Sequence, residues 1–208
     1  MLPTRKRTDT KRPPRRRADA ERSVAAILDA AVEALASDPD ASVSAIASRA
    51  GVVRATVYVH FPTREDLIRA ITERAITETT AALEAAAPDE GEPRAALERV
   101  LATSWENLGR YHALVEINTR LGHRHLRRHH EPVLRLITPL LVRGRQSGAF
   151  NQDLPIEWML TVLLELIHAA SLSVTNGMLP GHQAERALIE TTLGALSPAE
   201  RRSASRRR

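Results

Sequence analysis

The 208-residue chain contains no cysteine, which excludes disulfides, a thiol nucleophile and any zinc site that needs thiolate ligands. It has only six aromatic residues, too few for a stacking platform of the kind that binds single-stranded nucleic acid. It also lacks an unbroken apolar run of about 18 residues and an apolar segment behind its basic N-terminus. From these absences we expect no membrane span and no secretory signal, and a protein of the reducing cytoplasm.

Charge is distributed unevenly along the chain. Residues 1–17 hold eight basic residues and one acid, residues 200–208 carry a net charge of +4, and the chain between them is acidic. Such terminal segments are often disordered and bind polyanions. We therefore predict a disordered basic arm over 1–17 and a basic tail over 199–208. A purely solubilising role for the arm is the alternative.

Apolar residues recur at helical spacing through most of the chain, whereas strand signals are scarce. Val24, Ile27, Leu28, Ala31 and Leu35, for example, follow the pattern of one helix face. The sequence predicts an all-α fold of about nine helices, in two modules that share a long connecting helix. After the first three helices, the predicted helices cover 63–87, 94–109, 111–121, 124–147, 155–176 and 181–196.

Residues 42–67 carry the pattern of a helix-turn-helix followed by a third helix. A short helix places Ile46 and Ala47 on its inner face and ends at Gly51, which readily takes the left-handed conformation of a helix end. A second short helix then runs from about Val53 to Val59. Thr63, with Asp66 three residues later, predicts a capping box at the start of the third helix. The second helix of such a motif enters the DNA major groove, so we predict a DNA-binding domain over 18–65.

The polar side chains of this second helix suit contacts with DNA. Arg54 can pair with a guanine edge, and Thr56 can touch a thymine methyl group. Tyr58 and His60 can reach phosphate oxygens. The start of the next helix, at Thr63 and Arg64, offers free backbone N–H groups and a cation to a phosphate.

The run GVVRATVYVHFPTREDL, together with the first helix ERSVAAILDAAVEAL, closely resembles the signature of TetR-type transcriptional regulators. The resemblance covers about residues 20–70 and implies a dimeric repressor that binds a palindromic operator and is released by a small effector. It also implies that Ala55 faces DNA. The predicted DNA contacts are Ser42, Arg54, Ala55, Thr56, Tyr58, His60, Thr63 and Arg64. One position departs from the family pattern: Val53 stands where a capping serine or threonine is usual, and a lost cap costs about 1 kcal/mol.

By the same resemblance, residues 66–198 form an effector-binding and dimerisation domain. Residues 155–176 are apolar nearly all round, as expected of a helix buried on several sides. With 181–196 they predict a four-helix homodimer interface, or, alternatively, the central helix of a monomer. The predicted walls of the effector pocket are Trp105, Tyr111, Asn118, Leu136, Leu140 and Leu163.

Other functions are weakly supported. His125 and His129 have the spacing of a metal pair, but no carboxylate completes a set and three arginines stand among them, so we expect no metal site. His112 and Glu116 are a conceivable acid–base pair, yet no catalytic motif accompanies them, and we expect neither an enzyme nor a cofactor. The remaining alternative is a dimeric ligand-binding module whose DNA motif has decayed.

Overall fold

The computed structural model describes residues 14–119 and 128–198 of the chain. Across these two ranges the regular structure is helical throughout, which confirms the predicted all-α class. They contain nine helices, namely α1 (Pro14–Ser37), α2 (Val43–Arg49), α3 (Arg54–His60), α4 (Arg64–Ala85), α5 (Pro93–Leu108), α6 (His112–Thr119), α7 (Glu131–Ser147), α8 (Ile156–Thr175) and α9 (Gly181–Ala195).

The chain divides into two compact units, Met1–Leu67 and Ile68–Arg208. Helix α4 begins in the first unit and continues into the second. Helix α1 starts at Pro14, so the last four residues of the segment predicted as a disordered arm are helical. The rest of that arm, the start of the predicted 124–147 helix and the predicted basic tail lie outside the described residues.

The core of the first unit is built on the apolar face predicted for α1. Ile27, Ala31 and Leu35 are buried along that helix, together with Leu28. They accompany buried side chains from the helix-turn-helix and the start of α4: Ile46, Ala47, Val57, Phe61 and Leu67. This shared core supports the short helices α2 and α3, which are too short to be stable alone.

The core of the second unit combines side chains from α4, α5, α7, α8 and α9. Its most deeply buried members include Leu83, Leu97, Leu101, Leu141 and Met159. The connection between α4 and α5 is held from outside the core by two arginines. Arg99 donates to the carbonyls of Ala86, Ala87 and Glu90, and Arg143 donates to the carbonyls of Pro88 and Asp89.

Judged by length and composition alone, helix α8 is long and apolar enough to cross a membrane. Its most apolar stretch of 18 residues has a mean hydropathy of 1.5. This differs from the expectation that no segment would qualify, because scattered polar residues interrupt the apolar run without lowering its mean. Met159 and Leu163 are nevertheless buried in the helical core, and so are the polar His168 and Ser171. These residues give α8 a buried side, although only 28% of the apolar stretch is buried as a whole.

Candidate nucleic-acid interface and ligand cavity

Local signals in the sequence position α2 and the turn that follows it. Ser42 is the N-cap of α2, and its hydroxyl accepts a hydrogen bond of 3.2 Å from the backbone N–H of Ala45. Gly51 closes the helix with φ +67°, a conformation that costs glycine little. The backbone N–H of Val52 then donates back to the carbonyl of Ala47 at 3.0 Å. These bonds direct the chain from α2 into α3.

Helix α3 begins without a side-chain cap, as the valine at position 53 predicts. The backbone compensates in part, since the N–H of Thr56 donates to the Val53 carbonyl at 2.8 Å. Val57 is buried in the first unit and anchors the helix from its inner side. Burying a valine stabilises by about 1.5–3 kcal/mol, which exceeds the loss of about 1 kcal/mol for the missing cap.

The outer side of α3 carries the predicted DNA-reading residues. Arg54, Ala55 and Tyr58 are exposed, whereas Thr56 and His60 are half-buried. The guanidinium of Arg54 donates to the hydroxyl of Tyr58 at 3.0 Å and lies 5.3 Å from the centroid of its ring. This contact holds both side chains in one orientation. Because a guanidinium has five N–H donors, most of the donors of Arg54 remain available to a base or a phosphate.

The start of α4 is held by a capping box. The Thr63 hydroxyl donates to a carboxylate oxygen of Asp66 at 2.8 Å and accepts from the Asp66 backbone N–H at 3.0 Å. Arg64 points inward, where its guanidinium donates to the Ala41 carbonyl and, at 2.8 Å, to the Pro39 carbonyl. The arginine therefore ties α4 to the loop between α1 and α2. Its predicted phosphate contact stays a prediction.

The second unit contains a cavity of about 90 Å³ between α4, α5, α6, α7 and α8. Helix α4 lines it with Thr72, Ala75, Ile76 and Thr79. Most of the remaining lining residues are aliphatic, and polar atoms come from a few side chains: Ser104, Tyr111, His130 and His168. A mainly apolar cavity with a few polar groups is typical of a small-molecule site.

Tyr111, one of the polar lining residues, is bonded to Glu78, which does not itself line the cavity. The Tyr111 hydroxyl donates to the Glu78 carboxylate at 2.6 Å, and Arg74 and Arg110 lie at 2.8 and 3.6 Å. Burial favours a higher pKa for Glu78, but the hydrogen bonds from Arg74 and Tyr111 and the positive charges of Arg74 and Arg110 together outweigh it, and the net effect is a lowered pKa. Burial and the hydrogen bond to Glu78 raise the pKa of Tyr111 to about 12.

His112 follows Tyr111 in the chain but does not itself line the cavity. Its Nδ1 is 2.7 Å from the hydroxyl oxygen of Ser171, and its ring centroid is 5.3 Å from that of Trp105. Burial lowers the pKa of His112, so the neutral ring is the form that this environment favours.

Known proteins share both the motif and the fold. The family model described as bacterial regulatory proteins, tetR family, matches residues 27–71. The transcriptional repressor LfrR of Mycolicibacterium smegmatis is 46% identical over 81 residues, an alignment that covers 39% of this chain and only 43% of the relative. The crystal structure of the TetR-like regulator LfrR from Mycobacterium smegmatis, in complex with proflavine, matches at 32% identity and a TM-score of 0.66. That match covers 84% of this chain and 96% of LfrR.

The chain belongs to the TetR family of transcriptional regulators. Family members are regulators rather than enzymes, in agreement with the expectation from the sequence. The fatty acid degradation regulator FadR from Bacillus halodurans, at 21% identity and a TM-score of 0.67, shares the fold over 83% of this chain and 98% of its own.

In this TetR-family chain, the cavity includes two of the six residues predicted to form an effector pocket. Tyr111 and Leu163 line it. Trp105 is buried beside His112 and does not line it, while Leu136 and Leu140 face a separate cleft with Pro88 and Pro139. The Asn118 side chain lies outside the described residues, as does the run containing His125.

Sequence reasoning missed the α4 wall of the cavity and both of its histidines. In the sequence, Ala75 and Ile76 indicate only a packing stripe, because a helix face that lines a cavity has the same periodicity as one that fills a core. His168 offers a usable signal, since it is a histidine that directly follows Leu166 and Ile167 in a mostly apolar helix.

Proposed function

We propose that the protein is a cytoplasmic, homodimeric TetR-type repressor that reads a palindromic operator in the major groove and leaves it when a small molecule occupies the second unit. The observation that carries the DNA-binding role is α3 itself. It follows a glycine turn, is anchored by Val57, and presents the bonded pair Arg54 and Tyr58 on its outer side. Two such helices in a dimer would read half-sites about 34–36 Å apart.

Selection of the purified chain on random duplex DNA at near-physiological salt tests the proposal. We expect a palindrome whose half-sites are about one helical turn apart. A Thr56→Ala and Tyr58→Ala double variant should lose sequence-specific binding but keep its helical circular dichroism. Glu98→Ala, which removes an exposed polar side chain from α5, a helix outside the proposed dimer interface, is the matched control and should bind normally. Recovery of only salt-labile binding without a palindrome would favour the decayed-motif alternative.

The basic segment before α1 is proposed to add affinity rather than specificity. Deleting residues 2–13 removes five basic residues and stops short of α1. For every phosphate that these residues neutralise, the deletion should flatten the dependence of log K on log salt concentration by about 0.9. An unchanged slope, with an unchanged selected sequence, would exclude this role.

The dimer is proposed to form through α8 and α9. Only 28% of the most apolar window of α8 is buried, and Trp158 on this helix is 54% exposed. Val162 and Ala169 follow Trp158 at i+4 and i+11, so they share its side of the helix. A second copy of the chain would remove this apolar surface from water, which isologous helix pairs commonly do.

Sedimentation of charge-bearing variants tests the interface. Trp158→Glu combined with Val162→Glu should give a monomer at concentrations where the wild type is a dimer, because carboxylates would be buried without partners. Ala95→Glu places the same charge at an exposed position of α5 and should leave the dimer intact. A dimer in both variants would place the interface elsewhere.

The effector is proposed to occupy the cavity beside α4. Residues 72–79 of that helix line the cavity, and its first turn belongs to the DNA-binding unit, so displacement of α4 by a ligand can reach α3. At about 90 Å³ the cavity is smaller than the roughly 300–1,000 Å³ of sites for drug-sized ligands, so such a ligand has to push its walls apart. Effector and operator would then weaken each other's binding by the same factor.

Proflavine, found in the LfrR complex, is the first ligand to test on this chain. We expect its fluorescence to report binding and its addition to weaken operator binding. Ala75→Leu would fill part of the cavity and should weaken proflavine binding while sparing DNA binding. Ala81→Leu adds the same bulk on an exposed side of α4 and is the control. Equal proflavine affinity in both variants would place the ligand outside this cavity.

A further inference from the structure

The most outward side of α3 is hydrocarbon rather than polar. Ala55 and Val59 each stand two residues from the buried Val57, about 200° around the helix axis, so both lie nearly opposite the core. Val59 is 78% exposed, and Val53, immediately before the helix, is 69% exposed. Ala55 and Val59, one helical turn apart, form an apolar strip; Val53 stands four residues before Val57 and so is not part of it.

The polar residues of α3 lie to the sides of this apolar strip. Arg54 and Tyr58 are paired along one flank, at 3.0 Å between guanidinium and hydroxyl. Thr56 is on the other flank and is half-buried. In the nearby α2, Arg49 is 3.2 Å from the Glu33 carboxylate. The part of α3 that projects furthest therefore offers methyl groups instead of hydrogen-bond donors.

The major groove floor offers such a strip one matching chemical group. Guanine, adenine and cytosine edges present hydrogen-bond donors and acceptors there, whereas thymine adds a C5-methyl group. Hydrocarbon pressed against the polar edges would strip water from them without replacing its hydrogen bonds, which is unfavourable. Against thymine methyl groups the same contact buries apolar surface on both sides and is favourable.

We propose that the apolar strip of Ala55 and Val59 selects thymine methyl groups in each operator half-site, with the Arg54 and Tyr58 pair reading an adjacent polar edge. The inference rests on the proposed DNA-binding function. It moves the methyl contact from Thr56, where the sequence suggested it, to the residues that project furthest from the first unit.

The test uses the full chain and the operator recovered by selection, with each thymine replaced in turn by deoxyuridine. Deoxyuridine keeps every hydrogen-bonding group of thymine and lacks only the methyl. At the positions facing the apolar strip we expect affinity to fall roughly fourfold for each methyl removed, the equivalent of about 0.8 kcal/mol. Replacing deoxyuridine with 5-methyldeoxycytidine, paired with guanine, should restore part of the methyl contact at those positions.

If a side chain of the apolar strip contacts a thymine methyl group, shortening that side chain or making it polar should remove the loss of affinity that deoxyuridine causes at the same position. Val59→Ala should reduce the deoxyuridine penalty to less than about twofold at one position per half-site and leave the others unchanged. Ala55→Ser does the same at its own position, and because Ala55 is exposed, loss of folding is not the cause. Arg54→Ala should weaken binding yet keep the full deoxyuridine penalty.

The outcomes separate this inference from the proposed function. A palindrome whose affinity is insensitive to deoxyuridine at every thymine would overturn the methyl-reading role and leave the repressor standing. The same holds for a deoxyuridine penalty that persists unchanged in both the Val59 and the Ala55 variants. Failure to recover any palindrome would overturn both.

Discussion

The ring of Phe150 occupies the space where Gly144 has no side chain. A β-carbon built on Gly144 would lie 2.0 Å from Cδ2 and 2.2 Å from Cε2 of the ring, well inside contact distance. Phe150 is fully buried, and its backbone N–H donates to the Gly144 carbonyl at 3.0 Å. The glycine in α7 is therefore required by a side chain six residues later in the chain.

Gly144→Ala should lower the free energy of unfolding by about 2–3 kcal/mol, because its β-carbon would overlap a fully buried ring. Gly194→Ala is the matched control: a β-carbon there meets nothing within 4 Å. That change should be neutral or stabilise by up to about 1 kcal/mol through helix propensity. Urea unfolding of the two variants measures the difference. Equal stabilities would show that the Phe150 ring can relocate at little cost.

Tyr111→Phe should lower the free energy of unfolding by about 1.5 kcal/mol, since it removes a hydrogen bond of 2.6 Å to an ionised carboxylate. In a Glu78→Gln background the same change should cost less than about 0.5 kcal/mol, because the charged acceptor is gone. The double-mutant cycle isolates the pair. Loss of the Tyr111 hydroxyl should also raise the pKa of Glu78 toward its ordinary value, measurable by NMR titration. Additive effects would contradict the coupling.

His112 should make the protein less stable at mildly acidic pH. Burial lowers the pKa of His112 in the folded state, so the unfolded chain takes up the proton first. Stability should then fall as pH decreases from about 7 through the ordinary histidine value of about 6.5, and level off below the folded-state pKa. His112→Asn should reduce this dependence in urea unfolding at about pH 7.5 and about pH 5. His182→Asn, at an exposed position of α9, should not alter it.

Arg64→Gln should destabilise the first unit by about 2 kcal/mol, because it removes charged donors from the Pro39 and Ala41 carbonyls. Arg49→Gln is the comparison: its ion pair with Glu33 is solvent-exposed and should contribute no more than about 0.5 kcal/mol. The salt dependence of operator binding in the two variants shows whether Arg64 also contacts phosphate. A lowered affinity with an unchanged salt slope would assign Arg64 to the fold alone.

The helical pattern of this chain is predictable because burial imposes a period on the sequence. The apolar face of α1, the glycine turn after α2 and the capping box of Thr63 and Asp66 each depend on residues within about one or two helical turns of one another. The start of α1 differs from its prediction because proline and arginine at its first positions resemble a charged arm, although proline is well tolerated in a first helical turn.

Local sequence alone determined the helices, their order and the helix-turn-helix, because hydrogen bonding and capping act over a few residues. Tertiary structure decided which surfaces face a cavity, a core or water. Leu136 and Leu163 look alike in sequence, yet only Leu163 reaches the cavity beside α4. Likewise, the sequence predicts Arg64 as a phosphate ligand, whereas the fold places the carbonyls of Pro39 and Ala41 beside it. Such neighbours come from distant parts of the chain, and no local period encodes them.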